Sequence, residues 1–247
     1  MPPEKMSPYN PSIQMGSMIN WVFRWLNDEA LYQPPILHRT HLMPDFPQLL
    51  ERNKAWVEAR VAEDPEYFKR LAKGQQPPFL FFGCSDSRKC MNSMLGSGPG
   101  ELFVHWNIAN QVPLNDPNVQ AVLEFAILNL KVRHVVVGGH TSCGGVGAAL
   151  AGLEEGAVGA WLKALRDLAA RHKEELENLP NPLARANRLS EINVAEQLRN
   201  VLLSSPYRAA RDGGFAPSVH GWMFDLSSGY IREMELPLRD WQAEGLL

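Results

Sequence analysis

The stretch Phe79-Leu80-Phe81-Phe82-Gly83-Cys84-Ser85-Asp86-Ser87-Arg88 decides how the chain reads. Its opening is a short continuous apolar run after Pro77-Pro78, the pattern of a strand buried on both faces in a parallel sheet. Cys84 then falls at the carboxyl end of that strand, with a carboxylate and a guanidinium close behind it in the following loop.

Working outward, Leu102-Phe103-Val104 with Trp106-Asn107 reads as a second strand, and the run from His134 to Gly139 as a third that ends directly at His140. Between them, Pro117 to Leu130 places Val119, Val122, Leu123, Ala126, Ile127 and Leu130 on one helical face. Strand, helix, strand is the alternation of an α/β fold, here a central, mostly parallel β-sheet flanked by helices. Helices are expected over 158–176 and 183–203, then a hairpin of 218–226 and 230–236 turning at Ser228-Gly229. Helical spacing also runs through 47–73, broken near Pro65, which predicts two helices. Before it, prolines 2, 3, 8, 11, 34, 35 and 44 surround one aromatic stretch, Ile19 to Leu26. This predicts an extended N-terminal helical arm over 1–46 and a single catalytic domain over 47–247. Trp21, Phe23, Trp25 and Leu26 are costly to leave in water, so the arm is expected to lie across a partner surface.

A chain of 247 residues, 45% hydrophobic, can bury a sizeable core in one domain. A net charge of −3, without a long Lys/Arg run, gives no electrostatic footprint for nucleic acid or membrane and favours a small-molecule substrate. Three cysteines are too few, and odd in number, for a disulfide framework. The amino-terminal residues carry no secretory or transit pattern, so a cytoplasmic location is expected, with a mitochondrial one as the alternative.

In open α/β sheets ligands gather outside the carboxyl ends of the strands, where Cys84, His140 and Cys143 all fall by this reading. A lone cysteine there reads as a small buried hydrophobe. His140-Thr141-Ser142-Cys143 changes that reading, because it places two donors on one tight turn among Gly138, Gly139, Gly144 and Gly145. Two cysteines and a histidine are the donor set of a catalytic zinc ion with one position left open. His134 and His220, inside apolar strands, read instead as hydrogen-bonded structural residues, and the tryptophans as core or interface.

Cys84-Ser-Asp86-Ser-Arg88 and Gly138-Gly-His140-Thr-Ser-Cys143-Gly-Gly145 closely resemble the β-class carbonic anhydrases. The resemblance runs from about Leu49 to Pro237 and includes Lys73-Gly74-Gln75, Gly100 to His105, Asn107 to Asn110, Glu191 to Val194 and His220-Gly221-Trp222. It implies hydration of CO2 to bicarbonate by zinc-bound hydroxide, with one Zn2+ per chain on Cys84, His140 and Cys143. Asp86 and Arg88 would be the catalytic dyad, Asp86 orienting the nucleophile or swinging in to close the site. Gln75 would hydrogen-bond substrate, and Phe103, Ile108 and Phe125, with Gly144, would line a narrow pocket at a dimer interface. The family assembles homodimers that often pair further. Two thiolates and one imidazole leave the zinc formally uncharged, so activity is expected to rise through and above neutral pH.

Trp106 departs from the family pattern, which has arginine there. In members regulated by bicarbonate that arginine joins a tryptophan and a tyrosine in an anion pocket; the matching residues are Phe81, Trp106 and Phe224, none charged. An absent pocket and an open site are therefore expected. Lys89 replaces an apolar residue, and Cys90 has no role beyond packing. Two alternatives stay open: hydrolysis of carbonyl sulfide or CS2, which relatives of the fold achieve with the same zinc set, and a weakly active or inactive zinc-binding paralogue.

Overall fold

Alternation decides the architecture. The computed structural model describes residues 46–247, so the expected arm over 1–46 lies outside the described residues but for its last. Five strands form one sheet: β1 (Phe79–Cys84), β2 (Leu102–Asn107), β3 (His134–His140), β4 (Ser218–Phe224) and β5 (Ile231–Glu233). Their order is β2-β1-β3-β4-β5, parallel throughout except for the antiparallel β4–β5 edge.

Successive side chains of β1 point to opposite faces. Leu80 and Phe82 join Val135 and Val137 under the helix Pro182–Leu203, which contributes Val194, Leu198, Val201 and Leu202. Each fully buried aliphatic side chain of this kind stabilises the fold by about 1.5–3 kcal/mol. That helix starts where Asn181 accepts a hydrogen bond from Ala184 N and Pro182 occupies the first turn, where a missing N–H is harmless. Phe81 and Val136 face the other way with Met91, in a smaller cluster flanked by Phe79, Trp222 and Ile231. Gly83 is required on that face: a Cβ there would stand 2.1 Å from the Trp106 ring and 2.6 Å from Phe81.

From β1 the chain turns to β2 on one side, whereas from β3 it continues to β4 on the other. The gap between the carboxyl ends of β1 and β3 is thus the topological switch point, the place where such sheets open a crevice.

The two helices expected in 47–73 are Phe46–Glu63 and Tyr67–Leu71. The first leaves Phe46, Leu49, Leu50 and Trp56 exposed. The helix from Pro117 is regular to Glu124 and ends in a wider π turn, Phe125–Asn129. The single helix expected over 158–176 is corrected to three, Gly156–Trp161, Lys163–Arg171 and Lys173–Glu177. Leu162, Leu165, Leu168 and Leu176 all reach one buried cluster, and the breaks at Leu162 and His172 reorient successive pieces to allow it.

Candidate metal centre

Cys84 ends β1, His140 ends β3, and the turn after β3 carries Cys143 to the amino end of the helix Gly144–Leu150. All three are buried, at 6%, 0% and 2% exposure. Their donor atoms lie within 4.8 Å of one another, the two sulfurs 3.9 Å apart. Sulfurs about 2.3 Å from one tetrahedral zinc ion stand about 3.8 Å apart, so the pair is already spaced for it.

His140 supplies the decisive observation. Its Nδ1 lies 2.9 Å from the Thr141 carbonyl oxygen. A carbonyl only accepts, so Nδ1 carries the hydrogen and the neutral ring holds its lone pair on Nε2. That Nε2 is fully buried without a hydrogen-bond partner. An orphaned lone pair beside two sulfurs is costly unless a cation takes it. The residues therefore fit a zinc ion.

The thiols point the same way. The Cys143 thiol hydrogen-bonds to Cys84 and, with the Ala109 amide, brings Cys84 well below the usual thiol range, against the cost of burial. Cys143 is pushed up, by its bond to Cys84 and by burial. Without a cation the two sulfurs share one proton; a divalent ion removes it.

Asp86 sits in the loop after Cys84, and Arg88 forks both its oxygens, Nε to Oδ1 at 3.0 Å and Nη2 to Oδ2 at 2.6 Å. The Arg88 amide adds a bond to Oδ1 at 2.9 Å. Burial alone would raise this carboxyl, but the Arg88 bonds outweigh it and hold it at about 2. Arg88 Nη2 also donates to the Ser142 carbonyl at 3.0 Å, tying the dyad to the His140–Cys143 turn. Asp86 Oδ2 is 3.8 Å from His140 Nε2.

Backbone strain gathers here. Ala109, Asn110 and Ser142 adopt left-handed φ values of 61°, 46° and 54°, which non-glycine residues avoid unless surroundings impose them. Asn187 Oδ1 accepts from Ser142 N at 2.9 Å. Asn193 Nδ2 and Gln111 Nε2 both donate to the Ala109 carbonyl, at 2.9 and 2.7 Å. Gln111 also donates to Asn193 Oδ1, and Gln197 takes Val112 N. The Ala109 amide, so positioned, points at Cys84 Sγ from 3.4 Å.

The sequence reading gave Gln111, Asn193 and Gln197 no role. One signal existed: Asn193 and Gln197 stand four apart on the apolar stripe of a helix, and buried amides there require partners.

The expected pocket residues separate. Gly144 and Ile108 adjoin the cluster, and Ile108 closes over Gly145 so tightly that a Cβ there would meet its methyl at 2.8 Å. Phe103 and Phe125 stack on each other, centroids 5.7 Å apart, with Phe103 further back along β2 at the level of Leu80. Gln75 lies before β1, in a groove with Pro77, Pro78 and Arg133 at the opposite end of the sheet. Within one chain it is not brought to the cluster, because the whole length of β1 intervenes.

Phe81, Trp106 and Phe224 carry no charge themselves, but a cation stands beside two of them. Lys89, 7% exposed, carries its ammonium to 4.6 Å above the Trp106 ring and 5.7 Å from Phe81. The quadrupoles of the two rings stabilise it, while burial lowers its pKa. Lys89 and Phe224 line a narrow cleft with Trp222 and Ile231.

Residues 79–231 match the family model described as carbonic anhydrase. A carbonic anhydrase of Emericella nidulans is 41% identical over 189 residues, 76% of this chain and 83% of that protein. A β-carbonic anhydrase crystal structure from Aspergillus fumigatus superposes with a TM-score of 0.74 at 40% identity, covering 80% of this chain and 95% of that one. A tetrameric β-carbonic anhydrase from Sordaria macrospora gives a TM-score of 0.73 at 38% identity, covering 76% and 96%.

Proposed function

Because this chain belongs to the β-class carbonic anhydrases, we propose that it interconverts CO2 and bicarbonate on one zinc ion held by Cys84, His140 and Cys143. The observation that carries the zinc reading is the buried, partnerless Nε2 of His140 facing two sulfurs. Bound there, zinc would supply the Lewis acidity that brings the ionisation of water towards neutral pH.

The remaining work falls to the chain. An ionised Asp86 can only accept hydrogen bonds, so it takes the hydrogen of the attacking oxygen and leaves a lone pair aimed at the CO2 carbon. Arg88 fixes the plane of that carboxylate by its two-point bond and fixes its distance from the Cys143 turn through Ser142. With both oxygens of Asp86 engaged by Arg88, the side chain is held off the fourth metal position, which favours the open site. Ile108 and the backbone around Gly144 offer CO2 an apolar wall.

A second copy of the chain would supply Gln75, Phe103 and Phe125 to complete the pocket. This dimer, or a dimer of dimers, is supported by the apolar residues left exposed on Phe46–Glu63 and by Val104, Trp106, Ile108 and Phe125 at the β2 side of the sheet. Sedimentation equilibrium tests it, and a monomer at micromolar concentration refutes it. A cytoplasmic location is proposed on the three free thiols; a tagged chain found in another compartment refutes that.

Stopped-flow CO2 hydration by zinc-replete protein tests the activity, with carbonyl sulfide as a parallel substrate. Turnover of CO2 that disappears on chelation is the expected result. Turnover of carbonyl sulfide alone, or of neither, overturns it.

A further inference from the structure

One peptide unit sets which nitrogen of His140 is free for a metal, and a side chain far along the sequence holds that unit in place. The Thr141 carbonyl takes the Nδ1 hydrogen of His140 at 2.9 Å. At the other edge of the same peptide plane, the Ser142 amide donates to Asn187 Oδ1 at 2.9 Å. A planar trans peptide points its C=O and N–H in opposite directions. The Asn187 bond on one edge therefore aims the carbonyl at the ring from the other.

Ser142 shows which way the plane would turn if released. Its φ of 54° is the left-handed value, which a non-glycine residue adopts only where its surroundings impose it. Turning the Thr141–Ser142 plane over returns Ser142 to negative φ, as a type II turn becomes type I. The ring would then meet an N–H in place of a carbonyl. Against an N–H the neutral imidazole accepts at Nδ1 and carries its hydrogen on Nε2. A protonated Nε2 has no lone pair for an ion, so the cluster would lose its nitrogen donor.

The residues beside the plane are anchored as well. Arg88 Nη2 donates to the Ser142 carbonyl at 3.0 Å. The Thr141 amide donates to the Phe224 carbonyl at 2.9 Å, and its hydroxyl accepts from the Leu226 amide at 3.0 Å and donates to Asp225 Oδ1 at 3.4 Å. These bonds fix the neighbours, whereas Asn187 bonds the plane itself from outside the turn. It reaches there because its helix, Pro182–Leu203, lies close against β3 at Gly139, where a Cβ would stand 2.7 Å from a Val194 methyl.

We propose that Asn187 is a positioning residue for the metal centre: by accepting the Ser142 amide hydrogen it locks the Thr141–Ser142 peptide and so keeps the His140 lone pair on Nε2. The proposal rests on the zinc reading of the cluster. One helix then frames both ligand turns, since Asn193, further along it, donates to the Ala109 carbonyl in the turn whose amide faces Cys84.

The test measures zinc affinity by chelator competition and, in metal-free protein at a pH where the ring is neutral, the nitrogen-15 shifts of the His140 ring, which report the nitrogen that carries the hydrogen. Groups that fix the tautomer of a ligating histidine contribute about ten- to a hundredfold to metal affinity, and Asn187→Ala should weaken zinc binding by about that factor. The same variant should move hydrogen from Nδ1 to Nε2 in a measurable share of the molecules. Asn187→Asp keeps an accepting oxygen, so it should keep the parent's tautomer and bind zinc within about threefold of the parent. Adding Ser142→Gly to Asn187→Ala should tighten zinc binding several-fold, because glycine adopts the left-handed φ without strain; a helix that was merely loosened would not respond to that change. An Asn187→Ala chain whose His140 keeps its hydrogen wholly on Nδ1 overturns the proposal, and so does unchanged zinc affinity. A parent that binds no zinc refutes the zinc reading instead, while the ring shifts of the metal-free chains still decide whether Asn187 locks the peptide.

Discussion

Replacing Arg88 with alanine is the sharpest test of how the chain directs its chemistry. The change removes both side-chain bonds to Asp86 and the link to the Ser142 carbonyl, leaving Asp86 only the backbone amide of residue 88. Hydrogen bonds to a charged group contribute about 1.5–3 kcal/mol each when shielded. Asp86 is 13% exposed but Arg88 46%, so solvent screening brings the two bonds together to about 2–3 kcal/mol. At about 1.4 kcal/mol per decade, kcat should fall roughly thirty- to hundredfold. Arg88→Lys retains a point charge without the fork and should fall in between. Stopped-flow hydration with zinc content held at one per chain is the assay. The carboxyl itself gives an independent readout. With its pKa held at about 2, below the ordinary 3.8, Asp86 contributes stability at pH values above 3.8 that is lost as pH falls through about 2. Without Arg88 that depression largely disappears, so acid unfolding should begin at higher pH. Full turnover by fully metallated Arg88→Ala would refute the positioning argument.

Further tests address the frame around the site. Gly83→Ala forces a methyl group to within 2.1 Å of Trp106 and should cost about 1–3 kcal/mol, read as a lower Tm; an unchanged Tm contradicts the packing. Asn193→Leu strips partners from the Ala109 carbonyl and from Gln111; it should cost about 1–3 kcal/mol and weaken zinc binding, and unaltered affinity would show that the amide network does not position Cys84. With the Cys84 thiol brought down and the Cys143 thiol pushed up by the bond between them, zinc binding at pH 7 should release about one proton rather than two. Calorimetry in buffers of different ionisation enthalpy measures this, and release of two protons contradicts the shared-proton reading.

The strands and the candidate ligands were legible because their signals are local. Phe79 to Gly83 is apolar without interruption, His140 directly ends the next such run, and Asp86 and Arg88 follow Cys84 within one loop. The long helix expected over 158–176 was misread because its period survives in pieces: Leu165 and Leu168 face the core as a continuous helix would have them, and the breaks at Leu162 and His172 follow from packing. Gln75 was matched to a family motif, yet chain position alone does not say that β1 carries it to the far end of the sheet.

Sequence by itself pointed to the fold class, the three candidate metal donors and the Asp86–Arg88 pair, since each depends on residues near one another along the chain. Tertiary structure alone decided the rest. The Asn193–Gln111 bond spans 82 positions, Lys89 reaches the Trp106 ring on β2 from the loop after β1, and His134 meets Ser218 across 84. Such contacts depend on strand register and helix placement, and these are settled by burial of the whole core rather than by any segment's own pattern.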